Sequence, residues 1–100
     1  MRTLELKLAA DHPATRGHFP GNPIIPGAVL LSTALSELGR ALGRDLARCQ
    51  ISSAKFLNPA RPGDCVEMEY TVSGPRIVLL CSVEKRAVLK ADLMCTADGE

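Results

Sequence analysis

Helical periodicity appears in one stretch of this chain, Gly27 to Leu42, and every segment after it reads as strand. Leu31, Ala34, Leu35, Leu38 and Leu42 fall at helical spacing and make one apolar stripe, while Thr33, Glu37, Arg40 and Arg44 fall elsewhere. Val29 and Leu30 extend the apolar surface around the first turn, so the helix is expected to be buried on more than one side. Gly43 is the stop signal. Before the helix, Thr3 to Ala9 alternates Leu4, Leu6 and Leu8 with Glu5 and Lys7, which predicts a strand with one buried face. After it, Cys49–Leu57, Cys65–Ser73, Arg76–Val83 and Ala87–Thr96 read as strands. They are separated by Asn58-Pro59 with Arg61-Pro62-Gly63-Asp64, by Gly74-Pro75, and by the charged turn Glu84-Lys85-Arg86. In Cys65–Ser73 the inward set is Val66, Met68, Tyr70 and Val72, and Asp64 is read as a turn residue at the strand start. The pattern predicts an α+β fold, an antiparallel sheet wrapped around one long central helix. A sheet of this kind covers one side of the helix, so dimerisation is the economical way to cover the other side and the outer strands.

One hundred residues suit a single domain spanning 1–100. The aromatic residues are Phe19, Phe56 and Tyr70, so the core must be aliphatic. Twelve basic residues against eleven acidic ones leave a net charge of +1, and the basic groove with stacking aromatics of a single-stranded nucleic-acid binder is missing. The apolar runs fall short of a membrane span, and the amino terminus has no apolar signal core, so the expected compartment is the cytoplasm. Cys49, Cys65, Cys81 and Cys95 are widely spaced, with no Cys-x-x-Cys pair and no zinc-type His cluster. They are expected as reduced, largely buried thiols, and no metal is expected.

From Ala10 to Pro26 the composition turns to His, Pro, Gly and Asn, an ordered loop that feeds directly into the helix. Proline fixes its own φ and pushes the residue before it, here Phe19, Asn22 and Ile25, towards extended geometry. A loop so restrained costs little further entropy to hold its titratable His18 in place, as a catalytic or binding group requires. Taken alone, His18 reads first as a structural residue that ties the loop by hydrogen bonds. His12, beside Pro13, reads as an exposed loop residue.

His18-Phe19-Pro20-Gly21-Asn22-Pro23, followed by Pro26-Gly27, resembles the His-Phe-Pro-Gly-x-Pro-x-x-Pro-Gly signature of the hotdog-fold β-hydroxyacyl-(acyl carrier protein) dehydratases. Ala54-Lys55-Phe56 with Pro59 and Pro62-Gly63-Asp64 looks like a second segment of that family, and Ala91-Asp92-Leu93-Met94-Cys95 looks like its last strand. Order and spacing agree over nearly the whole chain. With little before the first strand, the family's amino-terminal helix is expected to be missing.

The resemblance implies a hotdog dimer, either a homodimer or a heterodimer with another hotdog subunit, with tunnels at the interface. The substrate would be an acyl thioester carried on the phosphopantetheine of acyl carrier protein, with no further cofactor. It implies that His18 removes a proton from a (3R)-3-hydroxyacyl chain and that the amide of Gly27 points at the thioester carbonyl. Phe19, Pro26, Ala28, Ser32, Ser36 and Phe56 are the implied substrate contacts, with a helix–helix contact equally open for Ser32 and Ser36 and core packing equally open for Phe56. A neutral histidine suits the proton abstraction, and a helix amino-terminal amide suits the developing enolate, where one such donor can supply about 3–4 kcal/mol.

The departure lies on the helix. The family's Asp or Glu, fourteen residues after the histidine, falls on Ser32, and the glutamine often found one turn later falls on Ser36. Serine has no acidity of use near neutral pH, and losing a general acid typically costs about 10²–10⁴-fold in rate. Glu37 lies five residues beyond Ser32, roughly 140° around the axis, and is not in register to replace it. Three readings stand: a dehydratase that takes its acid from Asp11, His12 or a partner subunit, an acyl-thioester binding subunit with impaired chemistry, and a hotdog thioesterase. The last also needs a carboxylate. The pathways open to such a fold include fatty acid, polyketide and aryl polyene biosynthesis.

Overall fold

The computed structural model describes residues 2–9 and 24–95. Within them the elements are β1 (Arg2–Lys7), α1 (Gly27–Leu42), a single 3-10 turn (Leu46–Arg48), β2 (Gln50–Phe56), β3 (Cys65–Ser73), β4 (Arg76–Val83) and β5 (Arg86–Met94). The strands form one antiparallel sheet in the order β1-β3-β4-β5-β2. This is the hotdog arrangement implied by the motif. β3, β4 and β5 follow one another as hairpins, whereas β2 crosses over to lie beside β5 and forms one edge.

The helix begins and ends where its sequence signals stand. Pro26 occupies the N-cap with φ −57° and ψ 142°, and Gly43 takes the left-handed conformation at φ 73°, its N–H returning to the Arg40 and Gly39 carbonyls. Gly39 is required by a close approach, since a Cβ there would lie 2.6 Å from the Arg44 carbonyl oxygen. The chain can therefore fold straight back into the 3-10 turn, where the Asp45 carboxylate accepts the Ala47 N–H at 2.9 Å.

Leu30, Ala34 and Leu38 are the buried row of α1, and they share one core with Val66, Met68, Ile77, Leu79, Leu89 and Leu93 from the sheet. Burying each such leucine contributes about 1.5–3 kcal/mol before entropy is counted. The fully buried row sits to one side of the stripe read from periodicity. Leu31, Leu35 and Leu42 are only half-buried, because the sheet lies under one flank of the helix and leaves the other open.

Three expectations need correction. Cys49 and Cys95 form a disulfide instead of remaining thiols. Gln50 pairs with Met94 in the β2–β5 ladder, so the flanking cysteines stand opposite each other although 46 residues separate them in the chain. Of the remaining two, Cys81 is buried and Cys65 is exposed. Val72 is 43% exposed instead of inward, because the core ends at Tyr70 on that strand. Arg86 already belongs to β5, and the two-residue turn Glu84-Lys85 is made with both residues at positive φ (50° and 65°), a conformation that charged side chains do not advertise in sequence. Asp64 is the turn residue it was read as, its carboxylate accepting the Arg61 N–H at 2.8 Å.

Candidate active site

The start of α1 is assembled by backbone hydrogen bonds from a neighbouring segment. The Ile25 N–H donates to the Ala60 carbonyl at 2.8 Å, and the Leu57 N–H donates to the Val88 carbonyl at 2.9 Å. The Asn58 side chain holds the same segment to β5 by donating to the Ala87 carbonyl at 2.7 Å. Pro26 then closes the first turn, its carbonyl accepting the N–H groups of Val29 and Leu30, both at 3.0 Å. Pro26 has no polar side chain to cap the helix, and the first turn carries no acidic residue. The N–H groups of Gly27 and Ala28 thus have no intrahelical acceptor, and they sit at the positive end of the helix dipole. That is a site for a developing negative charge.

Gly27 is at this position for a steric reason as well. A Cβ on it would lie 2.9 Å from Cδ1, 3.0 Å from Cε1 and 3.2 Å from Cγ of Phe56. The Phe56 ring therefore packs on the glycine backbone, and both line a hollow of about 280 Å³ with Ile24, Leu30, Asn58 and Val88.

Ala28, Ser32, Ser36 and Arg40 follow each other at four-residue intervals on the exposed face of α1. They line a separate, larger groove of about 770 Å³, walled by Leu31 and Leu35 on the helix and by Leu46 and Ile51 beyond it. The structure thus divides the implied catalytic and substrate-contact residues, and Pro26 lines neither the hollow nor the groove. Gly27 and Phe56 meet in one hollow, and Ala28, Ser32 and Ser36 meet in the other. His18 and Phe19, with Asp11 and His12, lie outside the described residues.

Among the described residues lining the groove, Asp45 is the only carboxylate, and one of its oxygens is committed to the 3-10 turn. Glu37 does not line the groove and instead accepts from Arg40 at 3.5 Å, in keeping with its displacement around the helix. The groove's apolar walls were not singled out from the sequence. Leu31 and Leu35 read there as core, and Leu46 and Ile51 join them only through the fold-back that Gly39 permits.

Among the described residues, the perturbed titrating groups lie away from the groove. Hydrogen bonds from Arg76 Nη2 (2.7 Å) and Nε (3.1 Å) hold the Asp92 carboxyl below its ordinary range, and the same pair raises Arg76. Burial pushes the Cys81 thiol up to about 12. Among the described residues no group of three or more His, Cys, Asp or Glu side chains is arranged to hold a metal ion, and no helix is long and apolar enough to cross a membrane.

A family model described as ApeI-like, the ApeI dehydratase, matches residues 1–90. The 3-hydroxyacyl-(acyl-carrier-protein) dehydratase FabZ of Caulobacter vibrioides is 39% identical over 72 residues, covering 62% of this chain and 45% of that protein, so the match spans less than half of the relative's length. The FabZ of Aliarcobacter butzleri is 33% identical over 106 residues, covering 93% of this chain and 69% of the relative. Among solved structures, the dehydratase heterocomplex ApeI:P from Xenorhabdus doucetiae superposes with a TM-score of 0.70 over 94% of this chain and 86% of that one. At 18% identity this is a likeness of fold.

Proposed function

Because the chain belongs to the ApeI-like dehydratase family, we propose that it is a (3R)-3-hydroxyacyl-(acyl carrier protein) dehydratase subunit that works with a second hotdog chain. The observation that carries this reading is the exposed face of α1. Among the described residues it presents Ser32 and Ser36 over an apolar groove in which Asp45 is the only carboxylate, beside a helix amino terminus whose first amides have no intrahelical acceptor. Such a subunit has the means to accept negative charge on a thioester oxygen but lacks the acid.

In the proposed reaction His18 takes the C2 proton, and the negative charge that develops on the thioester carbonyl oxygen is received by the Gly27 amide. The C3–O bond then breaks, the C2–C3 double bond forms, and the leaving hydroxyl takes a proton to depart as water. Ser32 cannot supply that proton. The partner, a related hotdog chain with a carboxylic acid on its own helix, supplies it, and its helix face covers the groove. The exposed edge β2 and the half-buried Leu31 and Leu35 support association of this kind. The FabZ relatives are described by their names as acting on acyl-carrier-protein substrates, which supports a phosphopantetheine-borne acyl chain. A homodimer of this chain would hold the same groove without the acid, and is read as an acyl-thioester binding form.

The test is turnover of 3-hydroxyacyl and enoyl thioesters by the chain alone and after co-expression with a related hotdog chain. Reversible water loss by the mixed dimer, abolished by His18→Ala without loss of fold, is expected. Undiminished turnover in that variant would refute the assignment of the base. Release of free thiol would move the reading to a thioesterase, and binding without turnover in every combination to a binding subunit.

A further inference from the structure

The wall of the groove opposite α1 is the stretch from Gly43 to Ile51, and its attachment to the sheet is unusual. Its continuation, β2, is an edge strand with one half-buried residue, Ala54, so side-chain burial holds it weakly. Near the groove its ladder with β5 is also short. Gln50↔Met94 and Ile51↔Leu93 pair, and the register then slips at Ser52 before resuming at Ser53↔Asp92. Immediately outside those two pairs stands the Cys49–Cys95 disulfide. Cys49 also caps the 3-10 turn, its N–H donating to the Leu46 carbonyl at 3.0 Å. Cys95 is 4% exposed, and its N–H donates to the Pro75 carbonyl at 2.7 Å at the β3–β4 hairpin. The bond therefore ties the groove wall to the end of β5 and, through the Cys95 N–H, to the β3–β4 hairpin. Leu46 and Ile51, which line the groove, flank its half-buried end.

We propose that the Cys49–Cys95 disulfide is a redox-operated clamp on this wall, holding the groove in shape when oxidised and releasing residues 44–52 when reduced. A low-molecular-weight dithiol is a sufficient reductant. Its thiolate attacks the sulfur of Cys49, the more exposed partner, forming a mixed disulfide as the Cys95 thiolate leaves and takes a proton. The second thiol of the reagent then displaces Cys49 and closes its own disulfide. Two electrons and two protons pass to the protein, which ends with two thiols. Cys81 is too deeply buried to compete, and Cys65, at the start of β3, is the free thiol to be removed as a control.

The experiment is amide hydrogen exchange on a Cys65→Ser background, comparing protein oxidised with glutathione disulfide and protein equilibrated with dithiothreitol, the thiol count of each being read by alkylation and mass. Reduction should speed exchange roughly tenfold or more at residues 44–52, and leave the centres of β3 and β4 unchanged. A Cys49→Ala/Cys95→Ala variant should show the fast pattern with or without reductant. Three results would overturn the proposal: three thiols by mass, not one, in the oxidised Cys65→Ser protein, equal protection of 44–52 in both states, or loss of protection throughout β3 and β4. The readout is structural, so it stands apart from whether the chain dehydrates thioesters.

Discussion

Replacing Gly27 by alanine tests the steric argument at the helix start, and its sign depends on one neighbour. Alanine in a helix is ordinarily favoured over glycine by about 0.5–1 kcal/mol. Here the added methyl would sit 2.9–3.2 Å from three ring atoms of Phe56, against a carbon–carbon optimum of about 3.5–4.0 Å. Cγ is among the three, so spinning the ring about its own axis does not clear the overlap and the whole side chain must swing. Overpacking of this kind costs about 1–3 kcal/mol. Because Phe56 is 52% exposed, it can yield towards solvent, which places the cost in the lower part of that range. The net expectation is a loss of about 1 kcal/mol, a fall in Tm of about 4–8 °C for a domain of this size. In a Phe56→Ala background the clash disappears and the same substitution should stabilise by about 0.5–1 kcal/mol. Urea unfolding of the four proteins in the cycle measures a coupling of about 1.5–2 kcal/mol. An equal effect of Gly27→Ala in both backgrounds would refute the reasoning.

Further outcomes follow from the site and the core. Ser32→Glu, on an exposed position of the second helical turn, should change stability by less than about 0.5 kcal/mol. It should raise dehydration by the chain alone by about 10²–10⁴-fold, measured as enoyl thioester formation; a rate unchanged within error would count against the missing acid as the limit. The buried Cys81 thiol has its value raised from 9.0 to about 12. Its folded value lies above its unfolded one, so its contribution is intact below pH 9 and drains away as pH climbs towards 12. Urea midpoints followed from pH 8 to 11 should fall more steeply for the wild type than for Cys81→Ala, and parallel curves would contradict the burial argument.

Much of the fold was legible because the signals were local. Gly27 and Gly43 bracket the helix, alternation marks β3 to its observed ends, and the turns Gly74-Pro75 and Glu84-Lys85 mark those of β4. The site was legible in parts. The motif located the helix start, a matter of residue identity at a spacing. It did not reveal that Phe56 sits on Gly27 or that Leu31 and Leu35 wall a groove, because these depend on where β2 crosses and on which flank of α1 the sheet covers. The Cys49–Cys95 pair was illegible for a related reason. Cross-strand neighbours 46 residues apart become adjacent only once the β2–β5 register exists.

The outer rim of β2 has a consequence for how the polypeptide must be supplied. A strand with one half-buried residue and an open row of amides and carbonyls will accept whatever extended chain reaches it first. The irregularity at Ser52 and the charge of Lys55 discourage indiscriminate stacking, but neither shuts the rim. Under the proposed pairing with a second hotdog chain, synthesis in step with that partner would keep this chain from adding to itself, so the ratio of the two products would bear on solubility as directly as the sequence does.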